Sequence, residues 1–172
     1  MDERGRMRAD EERAFTEYAQ GRVLELRRTA YRLCGDWDQA HDLTQTALIR
    51  LYRHWTRVAQ TDSPDAYVRR MLVNVFLDHR QSWWSRRVRP FPEPPDTPAP
   101  SEDVADRLDL MAALARLAPG QRAVIVLRFW EGMDVAETAR TLGCSPGTVK
   151  SQTSYAIAAL RRLLPNYVGE AA

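Results

Sequence analysis

Lysine is almost missing from this chain: of its 25 basic residues only Lys150 is one, so positive charge rests on arginine. The skew reads as GC-rich coding rather than a chemical requirement, and no mechanism follows from it. Cysteine is scarce too. Cys34 and Cys144 lie far apart and neither belongs to a C-x-x-C pair, which excludes a disulfide framework or a zinc finger and leaves both expected as buried small hydrophobes. No stretch approaches the roughly 18 consecutive apolar residues of a membrane span. The opening MDERGRMRADEERAF is a charged mixture without the apolar centre of a signal peptide, so a cytoplasmic location is expected. Strand alternation and the Asn-Gly and Asp-Gly hairpin signals are absent, which predicts an all-α fold. His41, His54 and His79 have no metal-ligand spacing, the carboxylates form no convergent cluster, and there is no Gly-rich phosphate loop. No metal, cofactor or catalytic residue is therefore expected.

What the chain does have is helical periodicity on both sides of one proline-rich segment. Its 172 residues are 44% hydrophobic, enough for ordinary packed cores. RPFPEPPDTPAPS, residues 89–101, holds six of the ten prolines and must run extended. The expected organisation is a first domain over 13–88, a linker over 89–102 and a second domain over 103–165. In the first, Phe15 to Cys34 reads as a helix carrying Val23, Leu26, Ala30 and Leu33, ended by Gly35. A second helix from about Asp38 to Trp55 places Leu43, Ala47, Leu51 and Trp55 on one stripe and leaves a polar outer face. A loop over 56–63 leads to Ser63 as cap and Pro64 in the first turn of a third helix, running through Met71, Val75 and Leu77 toward Trp84.

In the second domain, Val104, Leu108, Met111, Leu114 and Leu117 mark a helix that stops before Pro119. The next carries Val124, Leu127 and Trp130 and ends near Gly132. Asp134 and Glu137 have capping-box spacing, with Val135, Ala139 and Leu142 as the inner face of a short helix. Gly143 ends it, and Ser145 with Pro146 starts a last helix reaching about Leu164.

The formal net charge of +2 says little, but its distribution says more. Between Arg69 and Arg89 six arginines stand against one acid, and from Thr138 to Ser154 there is no acid at all. Either run alone is equally well a solvated face. Two helices joined across Gly143-Cys144-Ser145 match a DNA-binding helix-turn-helix, with a structural helical hairpin as the alternative. On a helical wheel Val149, Ala156, Leu160 and Leu163 point inward, and Gly147, Ser151, Ser154, Tyr155 and Arg162 outward, with Thr148 and Lys150 on the flanks. Small hydrogen-bonding residues and no acid suit approach to bases and phosphates.

These residues carry a resemblance. ARTLGCSPGTVKSQTSYAIAALRRLL, from Ala139 to Leu164, resembles region 4 of the extracytoplasmic-function sigma factors of RNA polymerase, above all the sigma-E-like group of high-GC bacteria, and LARLAPGQRAVIVLRFWEGMDVAETA resembles the first half of that region. The resemblance implies that Ser145, Gly147, Thr148, Lys150, Ser151, Gln152, Ser154 and Tyr155 face the minus-35 element; Tyr155 stands where an arginine is expected. DLTQTALIRLYRHW, Asp42 to Trp55, looks like region 2.2, which implies that Asp42, Gln45, Thr46, Ile49, Arg50 and Arg53 meet the clamp helices of the polymerase's largest subunit. For Arg50 and Arg53 simple solvation is the alternative. PDAYVRRMLVNVFLDHRQSWWSRR, Pro64 to Arg87, looks like regions 2.3 and 2.4. This implies that Arg69, Arg70, Asn74, Arg80, Trp83, Trp84, Arg86 and Arg87 hold the opened strand at the minus-10 element, and that the 56–63 loop takes up a flipped base.

The composition fits that work. Opening a base step costs about 1.4 kcal/mol, and without ATP it must be offset by stacking on aromatics at about 1–3 kcal/mol per base and by arginines on the backbone. One of the two tryptophans is equally suited to packing between helices. The implied partners are core RNA polymerase, through its clamp helices and the flap of the second-largest subunit, and promoter DNA; an anti-sigma factor is a further partner the resemblance allows. Two other classes stay open on the residues alone. A stand-alone helix-turn-helix repressor would need a dimer helix, of which there is no heptad sign. A small recombinase with Ser151 or Tyr155 as nucleophile would show magnesium-dependent strand cleavage.

Overall fold

The computed structural model describes the backbone of residues 3–84 and 102–165, and side chains within 8–78 and 106–165. Every element among the described residues is helical, and the chain divides into two compact units, Met1–Phe76 and Leu77–Ala172. The proline-rich linker lies almost wholly outside the described residues.

In unit 1, α1 runs over Glu3–Cys34, twelve residues longer at its start than its apolar spacing predicts. Gly35, at φ 77°, turns the chain and donates its N–H to the Tyr31 carbonyl at 2.7 Å. Asp36 then caps α2, Trp37–Arg53, its Oδ1 accepting from the Gln39 N–H at 2.8 Å. The predicted stripe is the buried one: Leu43, Ala47 and Leu51 are fully enclosed and Trp55 nearly so, against Leu26, Ala30 and Leu33 of α1. One turn, α3 (Trp55–Val58), occupies the start of what the sequence shows as a loop. It buries Trp55 and Val58 while Phe15 meets Tyr52 and Trp55 edge-on, at ring centroids 5.0 and 5.5 Å.

Ser63 caps α4 (Pro64–Trp84) as expected, its Oγ accepting from the Ala66 N–H at 3.3 Å. Within α4 the buried residues are Val68, Leu72, Val73, Val75 and Phe76. Met71 and Leu77, through which the helix is expected to run, are half-buried, because two adjacent pairs rather than a single stripe face the core.

The start of α4 is fastened to α1 by one carboxylate. Asp65 accepts from the Tyr18 hydroxyl at 2.7 Å and pairs with the Arg22 guanidinium at 2.7 Å on its other oxygen. Asp65 also sits in the first turn of its helix, where negative charge is favoured. Burial raises the Tyr18 phenol well above its ordinary value near 10, and the hydrogen bond to Asp65 and its charge add to the rise. Since the folded state then holds this proton more tightly than the unfolded one, its contribution to stability is full below pH 10 and falls as pH climbs beyond it. Urea midpoints of the full chain between pH 8 and 11 are expected to fall less steeply for Tyr18→Phe than for the wild type. Part of the remaining slope belongs to Tyr31, raised by burial first and then by Cys34 and Asp36. Equal slopes would remove Tyr18 from the account.

Unit 2 begins with α5, Glu102–Ala115, which buries Met111, Ala113 and Leu114 but leaves Leu108 exposed. Next comes α6, Pro119–Ile125, followed without a break by a π-helical turn, Val126–Trp130, closed by Glu131 N–H to the Val126 carbonyl at 3.1 Å. The wider turn changes the phase. Trp130, in step with Val124 and Leu127 in the sequence, is 36% exposed and Phe129 is 58% exposed.

Asp134 and Glu137 form the predicted capping box reciprocally: Glu137 N–H to Asp134 at 2.7 Å, Asp134 N–H to Glu137 at 2.9 Å. This opens α7, Val135–Leu142, which ends at Gly143 in the left-handed region, φ 65°. Ser145 then caps α8, Pro146–Leu163, accepting from the Thr148 N–H at 3.1 Å. Val124, Ala139 and Val149 form the centre that α6, α7 and α8 share, with Val135, Leu142 and Cys144 packed around it. Both cysteines are half-buried rather than enclosed, since each closes a turn: Cys34 donates its Sγ–H to the Asp36 carbonyl at 3.2 Å, and Cys144 follows Gly143. A Cβ at Gly143 meets no neighbour within 4 Å, so Gly143→Ala isolates backbone strain. It is expected to cost about 1–2 kcal/mol, read as a lower urea midpoint for the full chain.

Candidate nucleic-acid and polymerase interfaces

The helix-turn-helix is built by sequence-local stops, and those stops fix which face of α8 is free. With Val149 and Ala156 fully enclosed and Thr153 buried, the helix can present only the opposite side. Gly147, Thr148, Lys150, Ser151, Ser154 and Tyr155 are all exposed there; Gln152 is half-buried and sits at the edge of the face. Thr153 reaches the interior because its hydroxyl donates to the Val149 carbonyl at 2.7 Å, a back-bond that satisfies a buried polar group inside its own helix.

The hydroxyls of the exposed face are preset. Ser145 and Thr148 share a hydrogen bond at 2.9 Å, and Ser151 donates to the Thr148 carbonyl at 3.0 Å. Each still keeps oxygen lone pairs for a base amino group. The helix carries no carboxylate, while Lys150 in its second turn and Arg161 and Arg162 in its last supply the cations. The arrangement offers donors, acceptors and positive charge to a groove with nothing that repels phosphate.

In unit 1 the outer side of α2 is a second exposed face. Asp42, Gln45 and Arg53 are exposed, Ile49 is 55% exposed at its middle, and Thr46 and Arg50 are half-buried at its edge. Tyr52, 49% exposed, lies one turn beyond Ile49 and extends the apolar part of this face; its hydroxyl donates to Glu12 at 3.4 Å. Sequence reading missed it, although the i, i+3 spacing from Ile49 is the signal. It also missed Trp37, which stacks on Tyr31 at 4.1 Å and 10° yet stays 52% exposed. That pairing joins two helices and has no periodic signature.

Of the eight minus-10 candidates, the structure describes three side chains. Arg70 is exposed and Asn74, one turn on, is half-buried on the same side; Arg69 is half-buried and close enough for its charge to act on Tyr18. Arg80, Trp83 and Trp84 stand in the last turns of α4, with side chains outside the described residues, as are Arg86 and Arg87 entirely. Among the described residues no three of His, Cys, Asp and Glu are placed to hold a metal ion, and no helix is long and apolar enough to cross a membrane.

Comparison with known proteins bears on both units. Residues 22–86 match the family model described as sigma-70 region 2, and residues 107–160 that described as sigma-70, region 4. The RNA polymerase sigma-E factor of Streptomyces avermitilis is 45% identical over 87% of this chain and 84% of its own length. The ECF RNA polymerase sigma factor SigL of Mycobacterium tuberculosis is 38% identical over 80% of this chain and 81% of its own. In fold, the chain is similar to the sigma factor RpoE solved in complex with the anti-sigma factor NepR from Bartonella quintana, at a TM-score of 0.72 and 23% identity, covering 90% of this chain and 98% of that one. It is also similar to CnrH in complex with the cytosolic domain of CnrY, at a TM-score of 0.62 and 24% identity, covering 90% and 89%.

Proposed function

Since the chain belongs to the extracytoplasmic-function sigma factors of the sigma-70 family, we propose that its two exposed faces divide the work of such a subunit. It binds core RNA polymerase, directs it to promoters through minus-35 and minus-10 elements, and helps open the DNA. It is a specificity subunit and not itself an enzyme. The observation that carries the division of labour is the acid-free, exposed face of α8 standing on a buried Val124–Ala139–Val149 centre. That face reads the upstream element with Lys150, Ser151 and their neighbours, while the α2 face around Ile49 meets the polymerase.

Arg70 and Asn74, with the arginines and tryptophans that follow, engage the melted strand by stacking and backbone contacts. Residues 13–88 and 103–165 form the two working halves, joined by 89–102; family matches over 22–86 and 107–160 support these bounds. The work places the chain in the cytoplasm with the chromosome. An anti-sigma factor is a fitting further partner, supported by fold neighbours solved with theirs.

The test is capture of core RNA polymerase by the purified chain, then run-off transcription on genomic promoter fragments. Core binding with new start sites supports the proposal; DNA binding without core binding would turn it into a repressor. Lys150→Ala with Ser151→Ala is expected to weaken promoter binding about tenfold or more at moderate salt, as two phosphate or base contacts of about 1–3 kcal/mol each are lost. Core binding should be unchanged, and equal loss of both would contradict the assignment of α8.

A further inference from the structure

We propose that Tyr155 reads a thymine of the upstream element through the base's methyl group, a specificity that rests on α8 being the recognition helix. The stripe Gly147–Ser151–Ser154 is built of the smallest side chains, and Tyr155 rises at its end, 62% exposed. Helical rise puts its Cα about 15 Å from the Ser145 cap, on the same line as Gly147 and Ser151 at four-residue steps. Among the described residues its hydroxyl has no hydrogen-bond partner and its ring no aromatic neighbour, whereas Phe15, Tyr18, Tyr31 and Tyr52 all pair with other rings. Small residues before it let the backbone come close to the groove floor, so the one tall side chain on the stripe is the first to meet the base edges.

The bases are distinguishable by what they require. Guanine and adenine ask for the paired donors and acceptors of Arg, Lys, Asn or Gln, and the cytosine amino group for an acceptor that a carboxylate supplies best. The α8 face holds no carboxylate, and its only cation before the last turn is Lys150. An aromatic ring with a single hydroxyl fits none of those patterns. It does fit the C5-methyl of thymine, the apolar feature of the major-groove code.

The experiment uses holoenzyme assembled from the full chain and core RNA polymerase, on a promoter fragment recovered by run-off transcription. Each thymine of the upstream element, on either strand, is replaced singly by deoxyuridine, which removes only the methyl. The expected result is one thymine whose replacement weakens wild-type binding about fourfold, the factor for one buried methyl, and leaves Tyr155→Ala unaffected. Tyr155→Phe is expected to keep the sensitivity, since the ring and not the hydroxyl makes the contact. Identical deoxyuridine profiles for wild type and Tyr155→Ala would overturn the proposal, as would an upstream element with no methyl-sensitive thymine. Lys150→Ala with Ser151→Ala, run alongside, separates the two levels: if that pair leaves promoter binding intact, the reading of α8 itself has failed, whereas a loss there with an unchanged Tyr155 profile sinks only the thymine contact.

Discussion

Ile49→Asp is expected to leave the fold intact and to weaken the complex with core RNA polymerase at least tenfold. Ile49 is more than half exposed at the centre of the outer face of α2, ringed by Gln45, Thr46, Tyr52 and Arg53. A central apolar residue inside a polar rim is the arrangement in which binding energy concentrates. Aspartate there would be forced to shed water on docking, at a cost exceeding the 1.4 kcal/mol that a tenfold loss represents. On the free chain the same change falls at a side chain more than half in water and should shift stability by about 1 kcal/mol or less. Titration of labelled chain with core polymerase measures the first quantity and urea unfolding the second. Wild-type affinity in Ile49→Asp would remove the α2 face from the interface.

Two residues along the same helix the expectation reverses. Leu51 is fully buried against α1, and Leu51→Ala should destabilise the protein by about 2–5 kcal/mol, through lost burial and the cavity left behind. Small domains hold only about 5–15 kcal/mol in total, so the melting temperature should drop by more than about 10 °C. Ile49→Ala serves as the comparison, because it removes similar atoms from a site more than half in water. A loss below about 1 kcal/mol for Leu51→Ala would mean that α1 and α2 close over the gap.

The contrast between Ile49 and Leu51 was legible in the sequence, because a four-residue apolar step fixes which side of a long helix is dry. So were the borders of α7 and α8: Asp134, Glu137, Gly143, Ser145 and Pro146 act on neighbours three or four residues away and keep their meaning in any tertiary setting. Where local signals ran out, so did the reading. The start of α1 is charged all round and carries no stripe to count. A single turn such as α3 is shorter than any period. In the run AVIVLRFW an apolar stretch gives no phase, so nothing local announces the widened turn at Val126–Trp130 or the side on which Trp130 emerges. Two adjacent large aromatics, Phe129 and Trp130, were the available warning, since one amphipathic face cannot bury both. At the interfaces, exposure on α8 followed from the wheel, but the Trp37–Tyr31 stack depends on how two helices meet.

The clasp of Asp65 by Tyr18 and Arg22 closes contacts 47 and 43 residues apart in the chain, while the bonds that shape the helix-turn-helix span three or four. Distant closures pay loop entropy before any contact rewards them, and folding slows accordingly. A ribosome delivers Tyr18 early and must add more than forty residues before its partner exists. The caps that border α7 and α8 can thus form within a turn of being made, whereas the clasp that fastens α4 to α1 waits for a stretch of chain longer than α1 itself.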